Sequence, residues 1–291
     1  MSTSGTFTTF APGVAPSTAL PDDAFNGLIL GSDGNVWYAG FSNVGNITPA
    51  GVATNYPLAG IGGICAGAAG DRIARAKDGG LWISVACAVG SQLLHVTTTG
   101  VFATSPLPAA FINPQGLVVG KDGNVYIAGS DDGPTSAILQ ATVSGASVTG
   151  TSIVDIANAA TDTFGIAQSS GGDLWATNDD CTSTLIRLHL ATGFAQSSTS
   201  VFHTMAGCVN PAFLVALPDG SLWVPEAGYA ERVLPGSSQT APALFDIALP
   251  SPYTDFGTYW DSTIGSDGDL YLTNDNVGIA NASSNVVKIA F

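Results

Sequence analysis

The stretch Gly116-Leu117-Val118-Val119-Gly120-Lys121-Asp122-Gly123-Asn124-Val125-Tyr126 holds an apolar run, an Asp-Gly pair and a second apolar run that ends in an aromatic residue. Asp-Gly between two apolar segments signals a tight hairpin, because the turn needs residues that tolerate positive φ. The phrase recurs as Asp33-Gly34-Asn35-Val36-Trp37, Asp78-Gly79-Gly80-Leu81-Trp82, Gly171-Gly172-Asp173-Leu174-Trp175, Asp219-Gly220-Ser221-Leu222-Trp223 and Asp267-Gly268-Asp269-Leu270-Tyr271. Its aromatics stand at 37, 82, 126, 175, 223 and 271, so the steps are 45, 44, 49, 48 and 48 residues. Each step has room for four short strands.

Each hairpin supplies strands 1 and 2 of a repeat. The upstream partners Gly27-Leu28-Ile29-Leu30, Gly116-Leu117-Val118-Val119, Gly165-Ile166-Ala167 and Phe213-Leu214-Val215-Ala216 are near-continuous apolar runs, which fits inner strands buried on both faces. Gln92-Leu93-Leu94-His95-Val96 and Thr184-Leu185-Ile186-Arg187-Leu188 read as third strands, each followed by a more polar fourth. Six such units about an axis make an all-β, six-bladed β-propeller, one domain over residues 1–291. The blades fall near 20–58, 59–107, 108–158, 159–204, 205–250 and 251–291. After the sixth Asp-Gly phrase only residues 285–291 are left, enough for a third strand but not a fourth. Residues 5–12, ahead of the first inner strand, have the character of that missing fourth strand and would close the ring beside the C-terminal one.

Composition agrees. The chain has 45% hydrophobic residues, 36 Gly and 16 Pro, but only two Glu and three Lys, too few for exposed helices. A net charge of −15 repels phosphate backbones and anionic lipid, so nucleic acid and membrane surfaces are poor partners, and neither nucleic-acid binding nor membrane insertion is expected. No apolar run approaches the ~20 residues that cross a bilayer. The N-terminal residues lack the basic and apolar regions of a signal peptide, so an exported form would be numbered from after its removal.

Pro114-Gln115-Gly116-Leu117, Lys121-Asp122-Gly123-Asn124-Val125-Tyr126, Leu185-Ile186-Arg187-Leu188 and Leu222-Trp223-Val224-Pro225-Glu226 together resemble the streptogramin lyase (virginiamycin B lyase) family. The resemblance covers the whole chain at the level of the blade, within the broader NHL and gluconolactonase-like propellers. It implies a six-bladed propeller. In that family histidines stand between the Pro and Gly of a P-x-G-I phrase and, with a carboxylate and magnesium, open a lactone ring by elimination. The corresponding positions here carry Asn26, Gln115, Phe164, Ala212 and approximately Asp261, none of them histidine. The three histidines, His95, His189 and His203, lie on or just after outer-strand segments. Streptogramin lyase activity is therefore not expected of this chain.

In a propeller the strand 2–3 loops and the entrances to strand 1 share one face, around the mouth of the channel. Asn26, Gln115, Phe164, Trp260 and Asp261 stand at those entrances and are candidate ligand-binding residues, the two rings being suited to stacking on a sugar or aromatic ligand. Asn178, Asp179, Glu226 and Asn274 offer hard oxygen ligands from strand 2–3 loops, the type that calcium or magnesium takes. Asp and Asn are also common turn formers, so the metal reading has a plain alternative. Without histidine at the mouth, a general base would be a carboxylate, Glu226.

Four cysteines allow three pairings, and only Cys65 with Cys87 and Cys181 with Cys208 join loops that the fold brings close. Four buried thiols are the alternative. Two disulfides, with the acidic charge, place the protein outside the cytoplasm: extracellular, periplasmic, or on a cell or virion surface. Whether the protein is an enzyme stays open at this point. One reading is a propeller that holds a small molecule, glycan or protein at the mouth, including a surface adhesin. The other is a metal-dependent secreted lyase or lactonase.

Overall fold

The computed structural model describes residues 25–50, 52–130, 135–156, 163–178, 184–190, 193–194, 197–204, 213–226, 229–234, 244–248, 258–264, 270–275 and 285–289. They form antiparallel sheets of consecutive strands. A 3-10 turn, Leu58–Gly60, follows the fourth strand. The chain divides into two compact units, 1–106 with 145–147, and 107–144 with 148–291.

The first unit holds two four-stranded sheets. One is β1 (Phe25–Leu30), β2 (Val36–Gly40), β3 (Asn43–Ile47) and β4 (Ala53–Pro57); the other is β5 (Ala69–Arg75), β6 (Leu81–Ala86), β7 (Ser91–Val96) and β8 (Phe102–Pro106). Trp37, Val44, Leu58, Ile83, Val85 and Leu94 form the core between them, each at most 1% exposed. The second unit begins with β9 (Leu117–Val119), β10 (Val125–Ser130), β11 (Ser136–Ser144) and β12 (Ser147–Asp155), then β13 (Thr163–Gln168), β14 (Leu174–Asn178), β15 (Thr184–His189) and β16 (Ser198–Thr204). It continues with β17 (Val215–Ala216), β18 (Leu222–Glu226), β19 (Tyr229–Val233) and β20 (Leu244–Ala248), and ends with β21 (Thr258–Ile264), β22 (Leu270–Asp275) and β23 (Asn285–Ile289). Ile138, Ile166, Ala176 and Ile186 pack between its first two sheets, and Trp175, Leu185, Leu222 and Val224 between the second and third. The sheet of β21 to β23 has three described strands. Residues 5–12, expected as its fourth, lie outside the described residues.

The repeated Asp-Gly phrase makes the turn between the first two strands of a sheet. In the first copy Gly34 N–H donates to Gly31 O and Gly31 N–H to Asn35 O, a type I turn followed by a left-handed residue. That residue is glycine at each described copy, with φ of 80° at Gly34, 88° at Gly79, 91° at Gly123, 101° at Gly172 and 89° at Gly220. The turn therefore asks positive φ of the glycine alone. The aspartate serves as an acceptor, taking the backbone N–H two residues on at Asp33, Asp78, Asp122 and Asp219.

The repeat aromatics are packing residues: Trp37, Trp82, Tyr126 and Trp223 are at most 1% exposed. The inner strands depart from expectation. Ile166 and Ala167 are buried, but Leu28 is 56% and Leu30 52% exposed. Within the first unit the β5 sheet packs on one face of the β1 sheet, the face of Ile29, and Leu28 and Leu30 alternate to the other.

Candidate functional site

The inner strands β1, β5, β13 and β21 meet their partners through a bulge near the entrance, and the bulge is where side chains leave the ladder. On β5, Gly70 pairs with Val85 and Ile73 with Ile83, so Asp71 and Arg72 together face Ser84. On β13, Thr163 pairs with Asn178 and Ile166 with Ala176, so Phe164 and Gly165 face Thr177. The same device repairs the broken ladder in both: Arg72 N–H donates to Ser84 Oγ, and Gly165 N–H to Thr177 Oγ1, each at 3.0 Å. Ahead of β9, Ala128 O accepts from Gln115 N–H and Ala128 N–H donates to Gly116 O, a third copy. The register also shifts at Asn26 on β1 and at Trp260 on β21.

These bulges gather the candidates of the sequence reading into one structural class. Within the first unit, Asn26 Nδ2 donates to Gly70 O at 3.1 Å, tying the β1 entrance to that of β5. Within the second, Gly116 N–H donates to Phe164 O at 2.8 Å, and the Phe164 and Phe213 rings stand 4.9 Å apart. Gln115 and Phe164 are half-buried. The register puts Trp260 in its bulge, while Asp261 pairs with Thr273; the side chains of both lie outside the described residues.

Asp71 is the member that the sequence phrase did not reveal. Gly70-Asp71-Arg72-Ile73 stands in register with Phe25-Asn26-Gly27-Leu28, but lacks the Pro and Gly that mark Pro114-Gln115-Gly116-Leu117. One signal was available: Asp71 lies three residues before Ala74, the partner of the repeat aromatic Trp82, as Gln115 lies three before Val118, the partner of Tyr126. The Asp71 side chain is 17% exposed, with Arg72 Nε 3.8 Å away. Burial pushes its carboxyl up to about 6, against the opposing pull of the Arg72 charge.

Of the metal-ligand candidates, only Asn178 has its side chain among the described residues. Asn178 ends β14 fully buried, and its Nδ2 donates to Ser136 Oγ at 3.2 Å. Asp179 lies outside the described residues, as do the side chains of Glu226 and Asn274. Among the described residues no three His, Cys, Asp or Glu side chains are grouped as metal ligands.

Two of the histidines, His95 and His189, attend hairpin turns. His95 on β7 is 1% exposed and lies directly opposite Trp82. Its ring stands edge-on to the indole at 4.6 Å, with Nε2 3.1 Å from the Asp78 carboxylate. The same cross-strand position carries Arg187 opposite Trp175 and Arg232 opposite Trp223. Each guanidinium lies over its indole, at 5.4 and 5.7 Å, and donates to an aspartate of the turn, Asp173 or Asp219, at 2.7 Å. His189 Nδ1 meets Asp173 at 2.8 Å. Gln140, opposite Tyr126, donates to the phenol oxygen, which itself donates to Asp122 at 2.8 Å. Turn aspartates and third-strand cations are thus bound to one another. His203 is on β16, with its side chain outside the described residues.

Cys65 and Cys87 form the expected disulfide, with Cα atoms 5.8 Å apart. It ties the entrance of β5 to the turn after β6, and Gln92 braces the same loop by accepting from Cys65 N–H and donating to Gly63 O. Cys181 and Cys208 lie outside the described residues. No helix among the described residues is long and apolar enough to cross a membrane.

No family model and no curated protein matches the chain. Solved structures do. A streptogramin B lyase is 19% identical with a TM-score of 0.63 over 84% of this chain and 74% of its own. A catalytically inactive virginiamycin B lyase from Staphylococcus aureus with quinupristin is 17% identical with a TM-score of 0.66 over 92% and 85%. A putative glucose dehydrogenase from Thermus thermophilus is 13% identical with a TM-score of 0.63 over 91% and 96%. The likeness is one of fold: a virginiamycin B lyase-like propeller.

Proposed function

We propose that this chain is an extracellular propeller of the streptogramin-lyase-like type that binds a ligand or partner through its inner-strand entrances and does not carry out the streptogramin lyase reaction. The observation that carries the reading is the row of bulges. A bulge frees a side chain from the ladder and aims it by its own geometry, and here those positions hold Asn26, Asp71, Gln115, Phe164 and Trp260. Amides and rings at such positions recognise a ligand. They lack the imidazole that would take a proton in the family's elimination. The Cys65–Cys87 disulfide supports an oxidising compartment. The reading includes closure of six blades by residues 5–12, and removal of residues 1–12 should then lower the melting temperature.

A second reading has its own support in Asp71. A buried carboxyl that titrates near neutrality is suited to proton transfer. In that reading the protein is a lyase or lactonase with Asp71, or Glu226, as the base. Calcium or magnesium would draw on Asn178, Asp179, Glu226 and Asn274, Asn178 through Oδ1 while its Nδ2 donates to Ser136.

One experiment separates the two. Lactones, sugar acids, neutral glycans and quinupristin are screened by thermal shift, with and without magnesium, and every stabilising compound is recovered for chromatography. The binding reading expects a compound recovered unchanged whose shift disappears in Gln115→Ala or Asp71→Asn. Consumption of the compound, or ring-opening of quinupristin, would replace it with the enzyme reading.

A further inference from the structure

We infer that the entrances of β1 and β5, in the first unit, hold a ligand by a cationic amine, with Asp71 and Asn26 as its acceptors. This rests on the reading that the inner-strand entrances bind a ligand, and it names the chemistry of that ligand. The two entrances are in backbone contact. A Cβ at Gly27 would stand 3.3 Å from Asp71 O, and one at Gly70 2.7 Å from Gly40 O, so glycine at both positions lets the strands approach. Asn26 Nδ2 donates to Gly70 O, one peptide unit from Asp71.

The donors and acceptors present decide the class. Among the described residues none donates a hydrogen bond to the Asp71 carboxyl, and its cationic neighbour, Arg72 Nε, is 3.8 Å away, beyond hydrogen-bonding reach. A carboxylate withdrawn from water without donors is costly, and a ligand that brings them offsets the cost. Gly70 O can only accept, which fixes the Asn26 amide with its nitrogen toward β5 and leaves Oδ1 to face a ligand; the side chain is half-buried. Both groups thus offer acceptors. An ammonium carries three donors and no acceptor, and its hydrogen bond to a carboxylate is about twice as strong as a neutral one. A divalent cation is a poorer match, since it takes several oxygen ligands and no three His, Cys, Asp or Glu side chains are grouped among the described residues. An anion would be repelled by Asp71 in a chain of net charge −15.

Little else near Asp71 titrates. The strands packed against β5 are β1, β2, β3 and β6. Of these only β2 carries an ionisable side chain, Tyr38, which burial raises to about 12. On β5 itself the other charged residues are Arg72 and Arg75, and Arg75 ends the strand, where its Nε donates to Leu30 O. Amine binding therefore follows the Asp71 carboxyl, which burial raises to about 6 against the pull of Arg72. The amine takes the ionised form, so affinity is full above that value and falls as pH drops through it.

The test is calorimetric titration of the full chain, disulfide intact, at about 0.15 M salt to screen the net charge. The probes are cyclohexylamine, benzylamine and 1,5-diaminopentane, each paired with the alcohol of the same shape: cyclohexanol, benzyl alcohol and 1,5-pentanediol. At pH 8 at least one amine should saturate below about 50 mM, and its alcohol should bind at least about tenfold more weakly, the lower end for a hydrogen bond to a charged group. At pH 5 the amine keeps its charge while about nine in ten Asp71 carboxyls are protonated, so affinity should fall about tenfold. Asp71→Asn should abolish binding with the melting temperature retained or raised, whereas Asp155→Asn, which removes an equal charge from an exposed position, should leave it unchanged. The inference is overturned if no amine binds, if amine and alcohol bind alike, if affinity is the same at pH 5 and pH 8, or if binding survives Asp71→Asn. A neutral probe lost in Asp71→Asn would overturn the amine and leave the inner-strand site standing. If Asp71→Asn alters no probe here and no compound of the thermal-shift screen, Asp71 leaves the binding site in both readings.

Discussion

Asp71→Asn should make the protein more stable at neutral pH and leave it unchanged in acid. The carboxyl is raised from 3.8 to about 6 in the folded state, chiefly by burial, with Arg72 opposing. Between those values the folded protein holds a proton that the unfolded chain has released, so stability falls as pH rises through this window. Below it both states are protonated and nothing is lost. Above it the full difference applies: about 2 pKa units, or ~3 kcal/mol at 1.36 kcal/mol per unit. Asparagine has the same shape and no charge, so the variant escapes the loss. Urea unfolding followed by tryptophan fluorescence at pH 4 and pH 8, with the disulfide intact, measures both arms. The expected gain is ~2–3 kcal/mol at pH 8 and within about 0.5 kcal/mol of zero at pH 4. A variant less stable than the native protein at pH 8 would mean that the attraction to Arg72 outweighs burial, and Asp71 would then be an ordinary structural carboxylate with no claim to proton transfer.

Gly172→Ala should cost about 1–2 kcal/mol through backbone strain alone, since φ is 101° and an added Cβ meets no atom within 4 Å; thermal unfolding of the variant measures it. Reducing Cys65–Cys87, which are 22 residues apart, should remove about 3 kcal/mol in the loop-entropy description, measured by denaturation of the Cys65→Ser, Cys87→Ser double variant. Non-reducing peptide mapping should recover Cys181 linked to Cys208; free thiols there, or a link from Cys181 to Cys87, would contradict the pairing. Arg232→Met keeps the stem over Trp223 but removes the charge from Asp219, whose carboxyl is held below its usual range by the Ser221 hydroxyl first, against some burial, and by Arg232 further down. Because that carboxylate is half exposed, the variant should lose less than about 1 kcal/mol at pH 7, and the difference should vanish as pH falls below 4.

The sheets were legible because the Asp-Gly turn and its aromatic lie within a few residues of each other, so every copy prints the same phrase. The cross-strand partner of the aromatic was not legible. It follows a loop of variable length, and the separation runs from nine residues, Trp37 to Asn46, to 17, Tyr271 to Lys288. A pattern set by register rather than spacing leaves no fixed interval to read, which is why His95 and Arg187 read only as residues of third strands. Asn26, Gln115 and Phe164 were found because a neighbouring glycine marks the close approach of adjacent inner strands. At Gly116 a Cβ would sit 2.5 Å from Phe164 O, and at Gly27 3.1 Å from the Ile73 side chain. Asp71 has Arg72 in the glycine's place, so the marker was missing while the bulge remained.

The inner-strand bulge makes this frame a suitable host for laboratory evolution. At a ladder position, side-chain identity is coupled to partners on both sides, and most exchanges disturb the sheet. At the bulges of β5 and β13 the displaced N–H is satisfied by a hydroxyl across the strand, Ser84 or Thr177, whichever side chain the bulged residue carries. Randomising 71 and 164 together should therefore yield a library in which a large share of members still fold. Selection on such a library would act on recognition directly, with folding held nearly constant.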